Sequence, residues 1–476
     1  MIANLAEHIV KKDLNFKEIE ELLFKFVLKI FQHLMVKVLE FYDKKLMKNR
    51  DKARYEIKEI NQRTIQALVG EITFKRRYYR DKLNDCWVYL LDETLQLEAN
   101  KSIGPGLLSL GVEWATKGPS YRDARDRISD LYGSRVVSHE AIRQALLEVG
   151  AVCQRETENK IVRREGDRAV DAIFIEVDGF NNRLQKNKNT KAKNRSKEAK
   201  MAIIHEGWIP RTGGKQSDYR LAKPHYISNL EEAEDFWEHA RGYINAHYKD
   251  LDKTLVIING DGASWIREGA NFFARSMYQY DRFHVARDIR NALRNDKITL
   301  GRAMKAFRRN DVGKLLTLVT VALVNCTDED QKEKLGELHK MLLKNHEYIV
   351  DYRIRLKEKG IEVNKNWRGL GAAESNVNKF KNRTGKRGRA WSYEGLTAIL
   401  TTLSEQFGGN LRQSISRTLK ERESWLLDQI NSGLGRLTSN SMKKSIDIKR
   451  VNFPATRHGT QGYSKLFREI SRIQFD

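Results

Sequence analysis

Residues 256–266 read VIINGDGASWI, an apolar run that ends in an aspartate held between two glycines. Residues 254–258 are β-branched and leucine-rich, the composition of a strand covered on both faces, while Ala263-Ser264-Trp265 can open a helix. That order places Asp261 at the C-terminal edge of a strand, where open α/β sheets bind ligands. The same residues suit a turn in which Asp261 caps the following helix, so one carboxylate leaves both readings open.

The run IFIEVDG at 173–179 repeats the feature, with Asp178 ending an apolar stretch before Gly179. If the two strands are neighbours in one sheet, Asp178 and Asp261 emerge together and can share a divalent cation. Phosphoryl transfer by two hard metals needs such carboxylates, which hold ions ~3.5 to 4 Å apart on the attacking and leaving oxygens. A third carboxylate normally completes the site. Glu374 is the choice, within GLGAAESNVNKFKNRTGKRGRAWS at 369–392, where small residues permit close approach and residues 375–380 can form a helix. Six basic residues and no acidic one follow between 376 and 389, namely Lys379, Lys381, Arg383, Lys386, Arg387 and Arg389. They are expected to form a cationic strip for a phosphate backbone. Glu394, Glu176 and Glu268 are weaker alternatives; Glu176 shares the strand face of Asp178, but surface salt bridging explains it as well. Asp281 and His284, at i and i+3 after a strand, can both face the metal site; a buried histidine bonded to Asp281 is the competing reading.

Composition points the same way. Across 476 residues, 87 Lys plus Arg against 63 Asp plus Glu leave a net charge of +24, which calls for a polyanionic partner, nucleic acid first. Residues 376–476 hold 19 basic and 8 acidic side chains, 19 − 8 = +11, nearly half of the surplus. Three scattered cysteines suggest neither a disulfide framework nor a zinc site and fit a reducing cytosol. The first residues lack the apolar core of a signal peptide, and the longest apolar segment, LLTLVTVALV at 315–324, is too short to span a bilayer. A cytoplasmic protein with no membrane partner is expected. No GxxxxGK[ST] stretch implies an ATP-driven step.

The expected organisation is mixed α/β. Residues 1–60 form N-terminal helices, 61–100 a small β-meander, and 101–168 a helical region. Residues 169–400 form an α/β catalytic domain interrupted by helices at about 285–366, and 401–476 a basic C-terminal segment. RLQKNKNTKAKNRSKEAK at 183–200 carries eight basic residues and reads as a hairpin tip over a polyanion, or simply as a solvated loop. In SYRDARDRISDLYGSRVVSHEAIRQALLEVG, two helical patterns flank a turn at Gly133-Ser134, and Ser138 suits an N-cap. This is the helix-turn-helix layout, in which His139, Arg143 and Gln144 would face the major groove, or else an ordinary helical hairpin.

Asp178-Gly179, Gly260-Asp261-Gly262, Asp281-Arg282-Phe283-His284 and Gly371-Ala372-Ala373-Glu374-Ser375, in that order, resemble the DDE transposases of bacterial insertion sequences, most closely the Mutator-like branch. The match extends to GRAWSYEG at 388–395. Asp178 and Asp261 lie 261 − 178 = 83 residues apart, and Asp261 and Glu374 374 − 261 = 113, with the charged helical stretch in the second gap. The resemblance implies an RNase H-like core with a helical insertion, and two Mg²⁺ (or Mn²⁺) ions held by Asp178, Asp261 and Glu374. Phosphodiester cleavage and strand transfer are the implied reaction, on the terminal inverted repeats of the protein's own element and on target DNA, by a homodimer or larger assembly. Asp281 and His284 would support the site. A nuclease of the same fold and a non-catalytic DNA-binding regulator are the alternatives. Trp265 and Trp391 would stack on a base or serve the core, the core role being favoured.

Overall fold

The computed structural model describes residues 9–11, 14–163, 166–185, 196–211, 218–386 and 388–418. These divide into two compact units, one from residues 9–108 and 129–137, the other from 109–128 and 138–418.

The long helix of the first unit is α1 (Phe16–Asn49). It starts at a capping box in which Asn15 Oδ1 accepts the Glu18 amide at 3.1 Å and Glu18 Oε2 accepts the Asn15 amide at 2.9 Å. Strands β1 (Tyr55–Ala67), β2 (Gly70–Asp81) and β3 (Cys86–Val88) follow as an antiparallel meander, then the short helix α2 (Leu90–Thr94). β1 begins at Tyr55, before the meander expected at 61–100, and the chain turns helical at Leu90 within that range. Leu39 of α1, Ile65, Ile72 and Phe74 of the hairpin and Leu91 of α2 make the core. Buried ion pairs surround it: Arg54–Asp81 at 2.8 Å, Arg63–Asp92 at 2.6 Å, and Arg77 with Asp43. The helices that follow belong mostly to the second unit: α3 (Pro105–Lys117) and α4 (Tyr121–Tyr132), then, after a turn at Gly133, α5 (His139–Arg163), where Ser138 Oγ accepts the Ala141 amide at 3.0 Å, the expected cap.

The second unit is built on β4 (Ala172–Leu184), β5 (Ser196–His205), β8 (His225–Asn229), β9 (Leu255–Gly260) and β10 (Ser276–Tyr280), with β6 (Trp208–Pro210) and β7 (Tyr219–Leu221) as a side ribbon. The sheet order is β10-β9-β4-β5-β8. Three consecutive strands, β4, β5 and β8, pair antiparallel; β9 and β10 add in parallel on the far side of β4. Two crossover connections serve these parallel strands: α6 (Ala233–His247) before β9, and α7 (Ser264–Glu268) with a 3₁₀ turn before β10.

β4 and β9 are apolar on both faces because both are covered. Ile173, Ile175 and Val177 join Val256 and Ile258 against Phe236, Trp237 and Ile244 of α6. Ala172 and Phe174 join Leu255 and Ile257 on the opposite face, under Trp208, Tyr352 and Trp367. Each such burial contributes about 1.5 to 3 kcal/mol. After β10 come α8 (Arg282–Ala292), α9 (Lys297–Arg308), α10 (Val312–Asn325), α11 (Glu329–Ile349) and α12 (Tyr352–Glu358), the expected charged helical stretch. The chain then returns through α13 (Ala372–Thr384) and β11 (Ala390–Trp391) to α14 (Tyr393–Phe407). Among the described residues no helix is long and apolar enough to cross a membrane.

Candidate metal centre

β9 runs parallel to β4 with Ala172 opposite Leu255 and Glu176 opposite Asn259. That pairing ends at Glu176 and Asn259; Asp178 and Asp261 each follow the last paired residue by two positions, and the charge of Asp261 acts on Asp178. β4 does not stop at Asp178, as its apolar run suggested. It continues to Leu184 because β5 pairs with it through Arg183 and β11 joins it at Arg183 and Leu184. Asp178 therefore stands in the stretch of β4 between the end of its pairing with β9 and the start of its pairing with β11. Gly262 makes the turn possible: its φ is +93°, and a Cβ there would lie 2.4 Å from the Tyr280 ring. Asp261 Oδ1 accepts the Ala263 amide at 3.1 Å. Asp261 thus closes the turn but does not cap the helix, whose N-cap is Ala263 with no side-chain hydrogen bond.

Glu374 arrives from α13, in its first turn. Asp178, His284 and Glu374 each offer a ligand atom, and these atoms all lie within 4.8 Å of one another. Asp261 is outside that group, yet its charge reaches it. Burial, and then the negative charge of Asp261, push the Asp178 carboxyl up to about 6, against opposing pulls from the Gly179 amide, His284 and Lys381. Asp281 N-caps α8, its Oδ1 accepting the Phe283 amide at 2.8 Å and its Oδ2 lying 3.2 Å from His284 Nδ1. The other ring nitrogen of His284, Nε2, lies 3.7 Å from Glu374 Oε2. The Asp281 hydrogen bond raises the His284 pKa. The histidine is bonded to Asp281, as the competing reading has it, and it also lies beside Asp178 and Glu374, whereas Asp281 is outside that cluster.

The alternatives fall elsewhere. Glu394 and Glu268 are exposed, at the start of α14 and the end of α7, and neither belongs to the cluster. Glu176 is wholly buried, which rules out a surface salt bridge; its Oε2 accepts the Gly371 and Ala372 amides at 2.7 and 2.6 Å. Sequence reasoning missed that role, although a carboxylate inside a two-face-buried strand signals a strong partner.

The basic residues after Glu374 do not form one exposed strip. Arg383 is the clearest correction: it is 5% exposed, donates to the Ala115 carbonyl at 3.1 Å and stacks near Trp391 and Tyr121. Helical spacing turns it inward beside Phe380 and Thr384. Lys379 donates to Asn376 Oδ1 at 2.7 Å and lies over Phe407. Arg389 donates to the Asn382 carbonyl at 3.2 Å. Lys381 is half-buried beside Asp178, Lys386 is exposed, and Arg387 lies outside the described residues, as do 186–195 of the expected basic tip and 419–476 of the C-terminal segment. Arg143 and Gln144 both bond Glu140, at 2.7 and 3.0 Å, while the buried face of α5, with Ile142, Leu146 and Val149, serves the core. His139 starts that helix. Trp391 is buried and donates to the Thr384 carbonyl; Trp265 is half-buried edge-on to Phe236.

Residues 9–422 match the family described as Uncharacterised protein family (UPF0236). The chain belongs to this family. A UPF0236 protein of Caldanaerobacter subterraneus subsp. tengcongensis, whose name spans eleven locus designations, is 24% identical over 448 residues, 93% of this chain and 87% of the relative. The UPF0236 protein in the vanSb 3′ region of Streptococcus gallolyticus is 27% identical over 409 residues, 84% of this chain and 85% of the relative. The Drosophila P element transposase strand transfer complex is similar at 10% identity, covering 71% of this chain and 85% of that chain with a TM-score of 0.25, a level from which no common fold follows.

Proposed function

We propose that this UPF0236 protein is a DDE-type DNA transposase. It would cut phosphodiester bonds at the ends of its own element and join them to target DNA, with Asp178, Asp261 and Glu374 holding two Mg²⁺ or Mn²⁺ ions. The observation that carries the reading is the meeting of Asp178, Glu374 and His284 within 4.8 Å, with the charge of Asp261 acting on Asp178, from strands and a helix far apart in sequence. The sheet, three antiparallel strands followed by two parallel ones beyond the first, supports an RNase H-like core over residues 169–400. One relative named for eleven loci of one strain, and another named for four, support a gene that multiplies within a genome.

The donor set fits hard divalent cations: it is built of carboxylate oxygens, and burial and the like charge of Asp261 raise the Asp178 carboxyl to about 6 even with His284 and Lys381 nearby. Bound there, the ions would activate the attacking hydroxyl and stabilise the leaving 3′-oxygen. The chain's own groups do the rest. Asp281 fixes the His284 ring, and His284 in turn faces Glu374 and limits where its carboxylate can swing. Lys381 brings positive charge to the Asp178 side, suited to a phosphate oxygen in an in-line displacement. The +24 surplus draws DNA in. Joining two element ends calls for two or more copies.

The test incubates full-length protein with Mg²⁺ or Mn²⁺ and labelled DNA carrying the gene's own flanking sequences, beside Asp261→Asn. Metal-dependent cleavage and joining, both lost in the variant, are expected. Cleavage with no joining would make the protein a nuclease, and DNA binding without chemistry a regulator; either result overturns the proposal.

A further inference from the structure

Glu176 is fully buried, and its carboxylate is not one of the proposed ligands. Its contacts have a common pattern. Oε2 accepts the Gly371 amide at 2.7 Å and the Ala372 amide at 2.6 Å, and the Asn259 Nδ2 lies 3.5 Å away. Oε1 lies 3.3 Å from Nε2 of His205, itself fully buried. His205 Nδ1 lies 3.1 Å from both the amide and the carbonyl of Gly207, and the imidazole stacks on Phe174 at 5.2 Å. Now Glu176 precedes Asp178 by two residues, Asn259 precedes Asp261 by two, and Ala372 precedes Glu374 by two. On a strand, two residues is the repeat that returns a side chain to the same face. On α13 the two amides are the unsatisfied donors of the first turn, at the positive end of the helix dipole.

We propose that Glu176 is a positioning residue: one buried carboxylate ties β4, β9 and the start of α13 together and thereby sets the spacing of all three acids. The inference rests on the transposase reading for its consequence, though not for its geometry. The β4–β9 ladder runs to Glu176 and Asn259 and so holds, without help, the strand segments that lead to Asp178 and Asp261. Glu374 has no such ladder, and α13 meets the sheet at this point through the two amides that Glu176 accepts. Substituting the carboxylate therefore frees the helix start, and with it Glu374, while the sheet persists.

Hydrogen exchange on the full-length, metal-free protein tests the tie, and Mn²⁺ titration tests its consequence. In Glu176→Gln, which keeps the volume but loses the charge and one acceptor oxygen, amides in 370–374 should exchange at least about tenfold faster. Those of β9 should be unchanged. Mn²⁺ should bind about ten- to a hundredfold more weakly, as when a group that orients a metal ligand is lost, with duplex binding retained. Gly371→Ala is the second variant. Gly371 is exposed with φ +147°, and an added Cβ meets nothing within 4 Å, so the change strains only the backbone that presents the amide. It should reproduce the exchange and Mn²⁺ changes even where Glu176→Gln fails to fold. Unchanged exchange at 370–374 in a folded variant, or faster exchange there matched by β9, overturns the proposal, as does wild-type Mn²⁺ affinity with the helix start released. A wild-type protein that neither binds Mn²⁺ nor cuts DNA refutes the transposase reading instead, and the exchange result still decides the tie.

Discussion

Gly262→Ala puts the turn after β9 to a quantitative test. The alanine would have to keep φ near +93°, and its Cβ would sit 2.4 Å from one Tyr280 ring carbon and 2.8 Å from another. The backbone part costs about 1 to 2 kcal/mol for a residue with a Cβ. The steric part resembles overpacking, about 1 to 3 kcal/mol, because Tyr280 is only 7% exposed and has little room to move. A total loss of about 2 to 5 kcal/mol follows. The two parts separate in a double-mutant cycle: Tyr280→Ala is itself destabilising, but against that background Gly262→Ala should cost only its backbone part. The coupling should then be about 1 to 3 kcal/mol. Urea unfolding monitored by hydrogen exchange in β9 and β10 measures all four corners. Because Asp261 is the residue between Gly260 and Gly262, Mn²⁺ affinity should fall in the single variant. A Gly262→Ala protein within 0.5 kcal/mol of wild type, or a cycle with no coupling, would refute the account of why this aspartate stands between glycines.

Asp178→Asn and Glu374→Gln should each lower DNA cleavage at least about a hundredfold, while Glu394→Gln leaves it intact; equal losses in Glu374→Gln and Glu394→Gln would remove Glu374 from the site. Arg383→Ala should destabilise the second unit by about 1 to 3 kcal/mol through the orphaned Ala115 carbonyl and lost ring packing, with the salt dependence of DNA binding unchanged. A shallower salt slope would instead return Arg383 to the DNA surface. Burial, then the charge of Asp81, raises Glu93 to about 7. The folded protein thus holds that proton more tightly than the unfolded chain. Stability from this group is full below the ordinary carboxylate range and is lost as pH rises through about 7. Hydrogen exchange in β1 and β2 should slow from pH 7.5 to pH 5 beyond the intrinsic change, and Glu93→Gln should flatten that difference.

The second unit was largely legible because its central strands are buried on both faces and so read as apolar runs at 173–177, interrupted by Glu176, and at 255–258. What the runs could not convey was where pairing continues. Asn181, Asn182 and Arg183 look like loop, yet β5 and β11 extend the strand through them, so Asp178 lies within β4 rather than at its end. The start of β1 escaped for a related reason: EIKEINQ at 56–62 has charged or polar side chains on its outer face and resembles an exposed helix as much as a strand. Arg383 shows the limit of counting charges, since in a helix every third or fourth residue turns inward whatever its type. Glu374 was legible from its setting. Its dependence on Glu176 was not, because a hydrogen bond across 195 residues leaves no local pattern.

The helical stretch between the second and third acids is not an appendage. Leu315, Val319, Leu335, Leu338 and Leu342 share one core with Val256, Ile258 and Ile289. Its ends are also tied to β10 and α8: Arg355 donates to the Tyr278 carbonyl at 2.7 Å, Gln279 to that of Tyr348 at 2.7 Å, and Arg282 to those of Phe307 and Ile349 at 2.8 and 2.7 Å. Closing a long loop adds little entropy cost for each doubling of its length, so 113 residues are no obstacle to bringing Glu374 back to Asp261. Returning it to the right place is the harder requirement. A loose insertion would deliver α13 to a volume; one packed into the sheet's own core delivers it to a point, where Glu176 receives its first two amides. Weakening the α11 face, as with Leu338→Ala, should therefore loosen the start of α13 as well as the insertion. Faster exchange confined to α11 alone would mean that Glu374 is placed by the carboxylate tie without the insertion's help.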